Sequence, residues 1–287
     1  MKAVFKHEVK GYLGSLSAYV FGAFLLVFIG IGCTLYNLQA AVSNFEYVLG
    51  FASIVFVVIV PILTMRTIAE ERKQKTDRLL YSLPLSGADV VIGKFLALLV
   101  MFAIPLGVIC LYPLIFSQYG RVYLPAAYGA LFAFFLMGAA LLAVGMFISS
   151  LTDNQGFAAG IGIAVILFNY YSVDLARYVS STALGSFIAL AVIFVRLGFV
   201  IKHLTANRTA GAAFSALAIA AQTVFFMLDS TAFEGLLPRI MSQLSLFERF
   251  YDFVRGVFDL TSVVYFLSVM GFFLFLTVQS LEKRRYN

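Results

Sequence analysis

The sequence predicts an all-α polytopic membrane protein in a single domain over residues 1–287. It would have eight transmembrane helices, an N-terminal helix lying in the interface, a polar segment on the inner side and short helices on the outer side. Three observations carry this. Apolar residues make up 62% of the chain, charged residues 12%, and there are 31 Phe, too little charge to cover the surface of a soluble fold. Eight apolar runs are long enough to cross a bilayer core as helices, which takes about 20 residues. The basic residues are distributed unevenly between the connecting loops.

The runs are 18–36, 47–65, 95–117, 122–150, 156–173, 184–201, 210–228 and 262–281. The fourth is longer than a crossing needs, so it tilts or extends beyond the lipid. Pro61 and Pro105 fall inside runs, where they kink a helix without forbidding it. Alternating the loops places fourteen of the 20 Lys and Arg on one face and five on the other, with Arg196 inside the sixth run. The acidic residues divide evenly. The positive-inside rule then assigns both termini and segment 66–94 to the cytoplasm. No cleaved signal peptide is expected, because Glu8 interrupts the first residues and no small-residue cleavage site follows the first run.

Arg196 is an ionisable residue inside a span and so a functional candidate by default. It precedes Lys202 by six residues, roughly 9 Å along a helix, so snorkelling of its arm to the interface is the reading set ahead of a functional one. No Asp or Glu falls within the eight runs, whereas ion-coupled carriers use a buried carboxylate. Cys33 and Cys110 both lie in apolar runs and read as small hydrophobes, which excludes a disulfide framework. Nucleic-acid binding is excluded by the position of the basic residues at membrane boundaries.

Residues 1–16 set Val4, Phe5, Val9, Tyr12, Leu13 and Leu16 against Lys2, Lys6, His7 and Lys10, a two-faced helix with its lysines near anionic headgroups. In segment 66–94, residues 67–83 lack Gly and Pro and are rich in helix formers, so the second span is expected to continue into the cytoplasm. Leu79, Leu80 and Leu83 give this polar segment an apolar edge, the mark of a partner surface. Pro84 ends the helix, and Ser86-Gly-Ala-Asp89 caps the next. On the outer side, 229–261 carries two amphipathic stretches. One holds Leu236, Leu237, Ile240, Met241 and Leu244. The other follows the cap Ser245-Leu-Phe-Glu248 and holds Phe250, Phe253, Val254 and Val257. Gly156 and Gly160 form a G-x-x-x-G expected to serve packing inside the bundle, alongside the small face of Gly138, Ala139 and Ala143.

Catalytic machinery is missing. There is no G-x-x-x-x-G-K-[ST] loop for ATP, no G-x-S-x-G, no H-E-x-x-H and no cluster of acids. His7 and His203 are too far apart in sequence to suggest a metal pair. Energy for any work done by this chain must come from elsewhere.

Met65-Arg-Thr-Ile-Ala-Glu-Glu-Arg72, Lys75-Thr-Asp-Arg-Leu-Leu-Tyr-Ser-Leu-Pro-Leu-Ser86 and Ile92-Gly-Lys-Phe-Leu-Ala97 together resemble the signature loop of ABC-2 type permeases, the membrane subunits of type V ABC transporters. Leu244-Ser-Leu-Phe-Glu-Arg-Phe250, Arg255-Gly-Val-Phe-Asp-Leu260, Tyr265-Phe-Leu-Ser268 and the run from Leu276 to Arg285 resemble the branch related to gliding-motility and copper-site-maturation permeases. The resemblance implies that residues 1–16 are the connecting (elbow) helix. Segment 66–94 would hold the coupling helix that docks on a separate ATPase chain, through Glu70, Glu71, Arg72, Thr76, Leu79, Leu80, Leu83 and Pro84. Segment 229–261 would hold re-entrant helices near an outer gate, with Phe247, Phe250, Phe253 and Val254. It further implies a non-catalytic exporter subunit in a bacterial cytoplasmic membrane. The chain would need no cofactor of its own, ATP being bound by the partner, and would pair with a second permease, identical or related, within membrane lipid. The competing expectation is a secondary carrier or channel not driven by ATP. The sequence departs from the pattern in three places. The pair of spans within 184–228 is extra to the usual six, Lys75 stands where glycine is frequent, and Arg78 stands where an acidic or amide residue is usual.

Overall fold

The computed structural model describes residues 1–75, 86–178, 181–205 and 208–285. Thr76, Leu79, Leu80, Leu83 and Pro84, five of the eight residues expected at the coupling surface, lie outside them, as does Arg78. The described chain is helical and contains no strand. Among the described residues seven helices are long and apolar enough to cross a membrane, and an eighth apolar stretch, Ala183–Phe199, is shorter. The protein is an all-α polytopic membrane protein.

The chain forms two compact units, 1–170 with 249–287, and 171–248. In the first, α1 (Lys2–Leu13) is the two-faced N-terminal helix. Next come α2 (Leu16–Gly32), prolonged by a π-helical stretch Cys33–Gln39, then α3 (Glu46–Ala52) and α4 (Phe56–Thr64), joined by a 3-10 turn. A short α5 (Ala69–Lys73) follows. Beyond the undescribed stretch come α6 (Gly87–Ile109), α7 (Leu111–Tyr119), α8 (Leu124–Leu151) and α9 (Gln155–Tyr178), which runs from this unit into the other. The last helix, α14 (Leu260–Arg285), returns to lie along α8. The Ser86 cap is formed: the Asp89 N–H donates to Ser86 Oγ at 3.1 Å, and the hydroxyl donates to the Asp89 carboxylate at 2.7 Å.

The centre of this unit is α8, buried along most of its length between α4, α6 and α14. Small residues let the helices approach. A Cβ on Gly138 would collide with the ring of Phe102 and stand 3.2 Å from Phe56 Cζ, one on Gly145 would collide with Thr64, and one on Gly162 of α9 would lie 3.0 Å from Pro61 Cβ. Phe56 sits 4.6 Å from Phe134 and edge-on to Phe102 at 5.6 Å, while Phe250 meets Phe134 at 5.7 Å. Edge-on and offset pairs of this kind each add about 0.5–1.5 kcal/mol beyond burial. Outside this core, large apolar side chains such as Phe24, Val27, Ile104, Val108 and Phe272 are exposed. So large an apolar surface belongs in lipid.

Two expectations are corrected here. Gly156 and Gly160 do not serve packing within the chain: both are exposed, a Cβ on Gly156 would touch only Asn154, and one on Gly160 would touch nothing. The second span continues to Lys73 but not as one unbroken helix, because the backbone turns at residues 65–68 before α5 begins, and the rest of the expected helix, 76–83, lies outside the described residues. Hydroxyl groups compete with the helical ladder there. Thr67 Oγ donates to the Thr64 carbonyl at 2.6 Å, and the N–H groups of Ile68 and Ala69 donate to Ser149 Oγ at 3.3 and 3.1 Å. Side-chain hydrogen bonds of this type offer the backbone an alternative to the helix.

The second unit holds α10 (Ala183–Thr205), α11 (Arg208–Leu228), a 3-10 turn Thr231–Phe233, α12 (Leu236–Leu244) and the opening of α13 (Leu246–Val254). The two long helices form a hairpin. It is closed where a Cβ on Gly198 would overlap Ser215 Oγ, and where Gln222 Nε2 donates to the Phe187 carbonyl at 2.7 Å. Phe187, Phe226 and Phe233 make its aromatic centre. Arg196 is exposed on the hairpin surface. The expected cap on α13 is formed, with the Glu248 N–H donating to Ser245 Oγ at 3.2 Å.

Candidate functional site: a buried charged hub

Segments that the charge asymmetry assigns to the cytoplasm converge at one end of the first unit. Lys94, two turns into α6, is only 2% exposed. Its Nζ lies 2.7 Å from Glu8 Oε1 on α1 and 2.7 Å from Glu71 Oε1 on α5. One ammonium therefore clamps carboxylates from two other elements. The side chains of Glu8 and Glu71 are 15% and 28% exposed, so the cluster is largely removed from water and its attraction is little screened. α1 approaches α6 closely because residue 93 is glycine; a Cβ there would stand 3.1 Å from Val4 Cβ. Tyr12 completes the inner face of α1. Burial first, then the negative charges of Glu8, Glu71 and Glu70, push its hydroxyl above the ordinary tyrosine range, so it remains a neutral phenol.

A second cation, Arg72, is buried beside the hub. Its guanidinium donates to the Ser150 carbonyl in the last turn of α8 and lies 3.9 Å from the Asp153 carboxylate, two residues past the C-terminal end of that helix. Ser280 of α14 donates to the same Ser150 carbonyl at 3.1 Å, and Ser149 Oγ donates to Met65 O at 3.2 Å. Arg66 closes the outer rim, pairing with Glu70 at 3.1 Å and donating to Ser17 Oγ of α2 at 2.9 Å. Every long helix of this unit except α9 thus touches α5 directly or through one residue. Among the described residues no group of three His, Cys, Asp or Glu could hold a metal, and the hub contains no nucleophile paired with a base.

Of the coupling residues expected from the sequence, the structure brings Glu70, Glu71 and Arg72 into this hub. Glu8, Lys94, Ser149, Ser150, Asp153 and Ser280 were missed. One signal was available, since Lys94 is a lone charge flanked on both sides by apolar residues, an arrangement that demands a counter-charge. Lys75 has a left-handed backbone, with φ 58°. Most side chains are strained there and glycine is not. Lys75→Gly is expected to stabilise the protein by about 1 kcal/mol, read as a rise of the thermal midpoint; a fall would show that the lysine makes a compensating contact.

At the opposite end of the unit, Phe250 and Phe253 are buried, Phe253 meets Phe258 at 5.4 Å, and Val254 and Tyr251 close over Gly50. Arg249 lies over the Tyr265 ring at 4.2 Å, a cation–π contact. Phe247, which belongs to the second unit, is buried as well. Glu46, which the sequence reading left just outside the second span, opens α3 with its side chain buried.

The sequence matches the ABC-2 family transporter protein model over residues 3–277. The chain belongs to the ABC-2 family. No curated protein matches it. As an ABC-2 permease it is a multi-pass membrane protein, and the family implies an ABC ATPase as its partner.

Proposed function

We propose that this permease is the non-catalytic membrane subunit of an ATP-driven exporter, with its termini and hub on the cytoplasmic side. ATP, bound by a separate ATPase chain, would be the only nucleotide involved. The observation that carries the reading is the hub itself. Glu70, Glu71 and Arg72 lead directly into the leucine-bearing stretch 76–85, and the same three residues are bonded to Arg66, Lys94 and Ser150. A push on that stretch by the ATPase would reach α1, α6 and α8 together. A second permease, identical or related, completes the translocation path, and Phe247, Phe250, Phe253 and Val254 form its outer closure. The hairpin α10–α11 is an addition to the six-span plan.

The test is Leu79→Asp with Leu80→Asp in the permease expressed with its ATPase. Co-purification of the ATPase is expected to fall at least tenfold while the permease still inserts. Undiminished co-purification would remove the docking assignment.

A further inference from the structure

We propose that the first unit carries a discrete site for one anionic phospholipid, built from α1 and the lipid-facing side of α6. An apolar groove of about 280 Å³ is lined by Leu96, Leu99, Val100 and Ala103 of α6 and Phe135 of α8, with Met1 and, from α1, Lys2 and Phe5 over one end. The α6 residues are spaced i, i+3, i+4 and i+7, so the groove follows the helix for roughly 10 Å. An acyl tail, which runs along the membrane normal, fits such a narrow strip.

The charge above the groove selects the headgroup. Lys2, Lys6 and Lys10 are exposed and recur every four residues, which places them in a row on one face of α1. Glu8, the one acidic residue of this helix, is turned inward onto Lys94. Asp89, at the start of α6, pairs with the Met1 amino group at 3.5 Å. His7 beside them is also exposed. The face toward the headgroups is therefore cationic, with Lys2 belonging both to the row and to the groove. A phosphate on Lys2 and Lys6 with its tail against Leu99 and Ala103 satisfies both features.

The chain contains no Trp, so Phe135→Trp places a single tryptophan in the groove, excited selectively at wavelengths where tyrosine does not absorb. The permease alone is reconstituted in phosphatidylcholine vesicles containing small fractions of brominated phosphatidylglycerol or brominated phosphatidylcholine. Half-maximal quenching is expected at about fivefold lower fraction for phosphatidylglycerol, the preference of a lysine near an anionic surface. Lys2→Gln with Lys6→Gln should erase the preference, and Ala103→Phe should weaken quenching by both lipids. Equal quenching by the two lipids in the parent would overturn the proposal in favour of ordinary annular lipid. No quenching by either would overturn it in favour of a second copy covering the groove, and a preference surviving the double Gln change would overturn the assigned headgroup ligands. No ATPase is present in this measurement, so its outcome is independent of the coupling reading.

Discussion

Replacing Lys94 with Met is expected to release α1 from the first unit and to destabilise the protein by about 3–5 kcal/mol, the range for removing one partner of a buried ion pair. The change deletes the cation that bridges Glu8 and Glu71, each now 2.7 Å from it, and sets two carboxylates on different elements against each other in a largely buried cluster. Methionine fills the volume of the lysine stem, so the loss is electrostatic and not a cavity. The readout is Val4→Cys, carried in a background without Cys33 and Cys110. Val4 is buried against Gly93, so a maleimide should label it slowly in the parent and rapidly once Lys94 is Met. Adding Glu8→Gln and Glu71→Gln removes the repulsion and should restore slow labelling, since two amides can bond each other. If the restored variant hydrolyses ATP with its partner but no longer couples hydrolysis to transport, the hub acts as a linkage beyond its part in folding. Labelling as slow as in the parent for Lys94→Met alone would refute the clamp.

Most of the fold was legible because hydropathy and charge are local signals. A run of apolar residues defines a crossing wherever it packs, and the positions of lysines and arginines order the loops. The caps at Ser86 and Ser245 were legible for the same reason, since donor and acceptor lie three residues apart. What was hidden depends on distant partners. Lys94 is 23 residues from Glu71 and 86 from Glu8, and no periodicity within α6 reveals either. The turn at 65–68 was read as helix because its residues favour helix, yet the hydroxyl that diverts its backbone belongs to Ser149, about eighty residues away. Glycines behaved likewise. The motif-bearing Gly156 and Gly160 face outward, whereas Gly145 and Gly162, which belong to no motif, make close helix contacts. A glycine's role is set by what stands opposite it, and that information is tertiary.

Gly145→Ala should therefore have a large effect for a single methyl group. Its new Cβ would overlap the Thr64 hydroxyl and stand 3.0 Å from both Thr64 Cβ and Cγ2. Thr64 has little freedom to yield. It is β-branched, it is 1% exposed, and its hydroxyl is held by the Val60 carbonyl at 2.9 Å. The backbone behind it is also fixed, because Pro61 one turn earlier abuts Gly162 of α9. Overpacking of this kind costs about 1–3 kcal/mol, and α4 must give way by moving. Since α4 leads through residues 65–68 into α5, that movement would carry Glu71 away from Lys94 and Arg72 away from Ser150. Gly145→Ala is thus expected to lower the thermal midpoint and also to accelerate labelling at Val4→Cys, on a helix that α8 does not need to touch for the effect to arise. Trimming the obstacle with Thr64→Ala should recover part of both losses, with a coupling of about 0.5–3 kcal/mol between the two changes. Strictly additive effects would mean that Thr64 is not what resists the methyl group. A lowered midpoint with unchanged labelling would confine the strain to the α4–α8 contact and separate it from the hub.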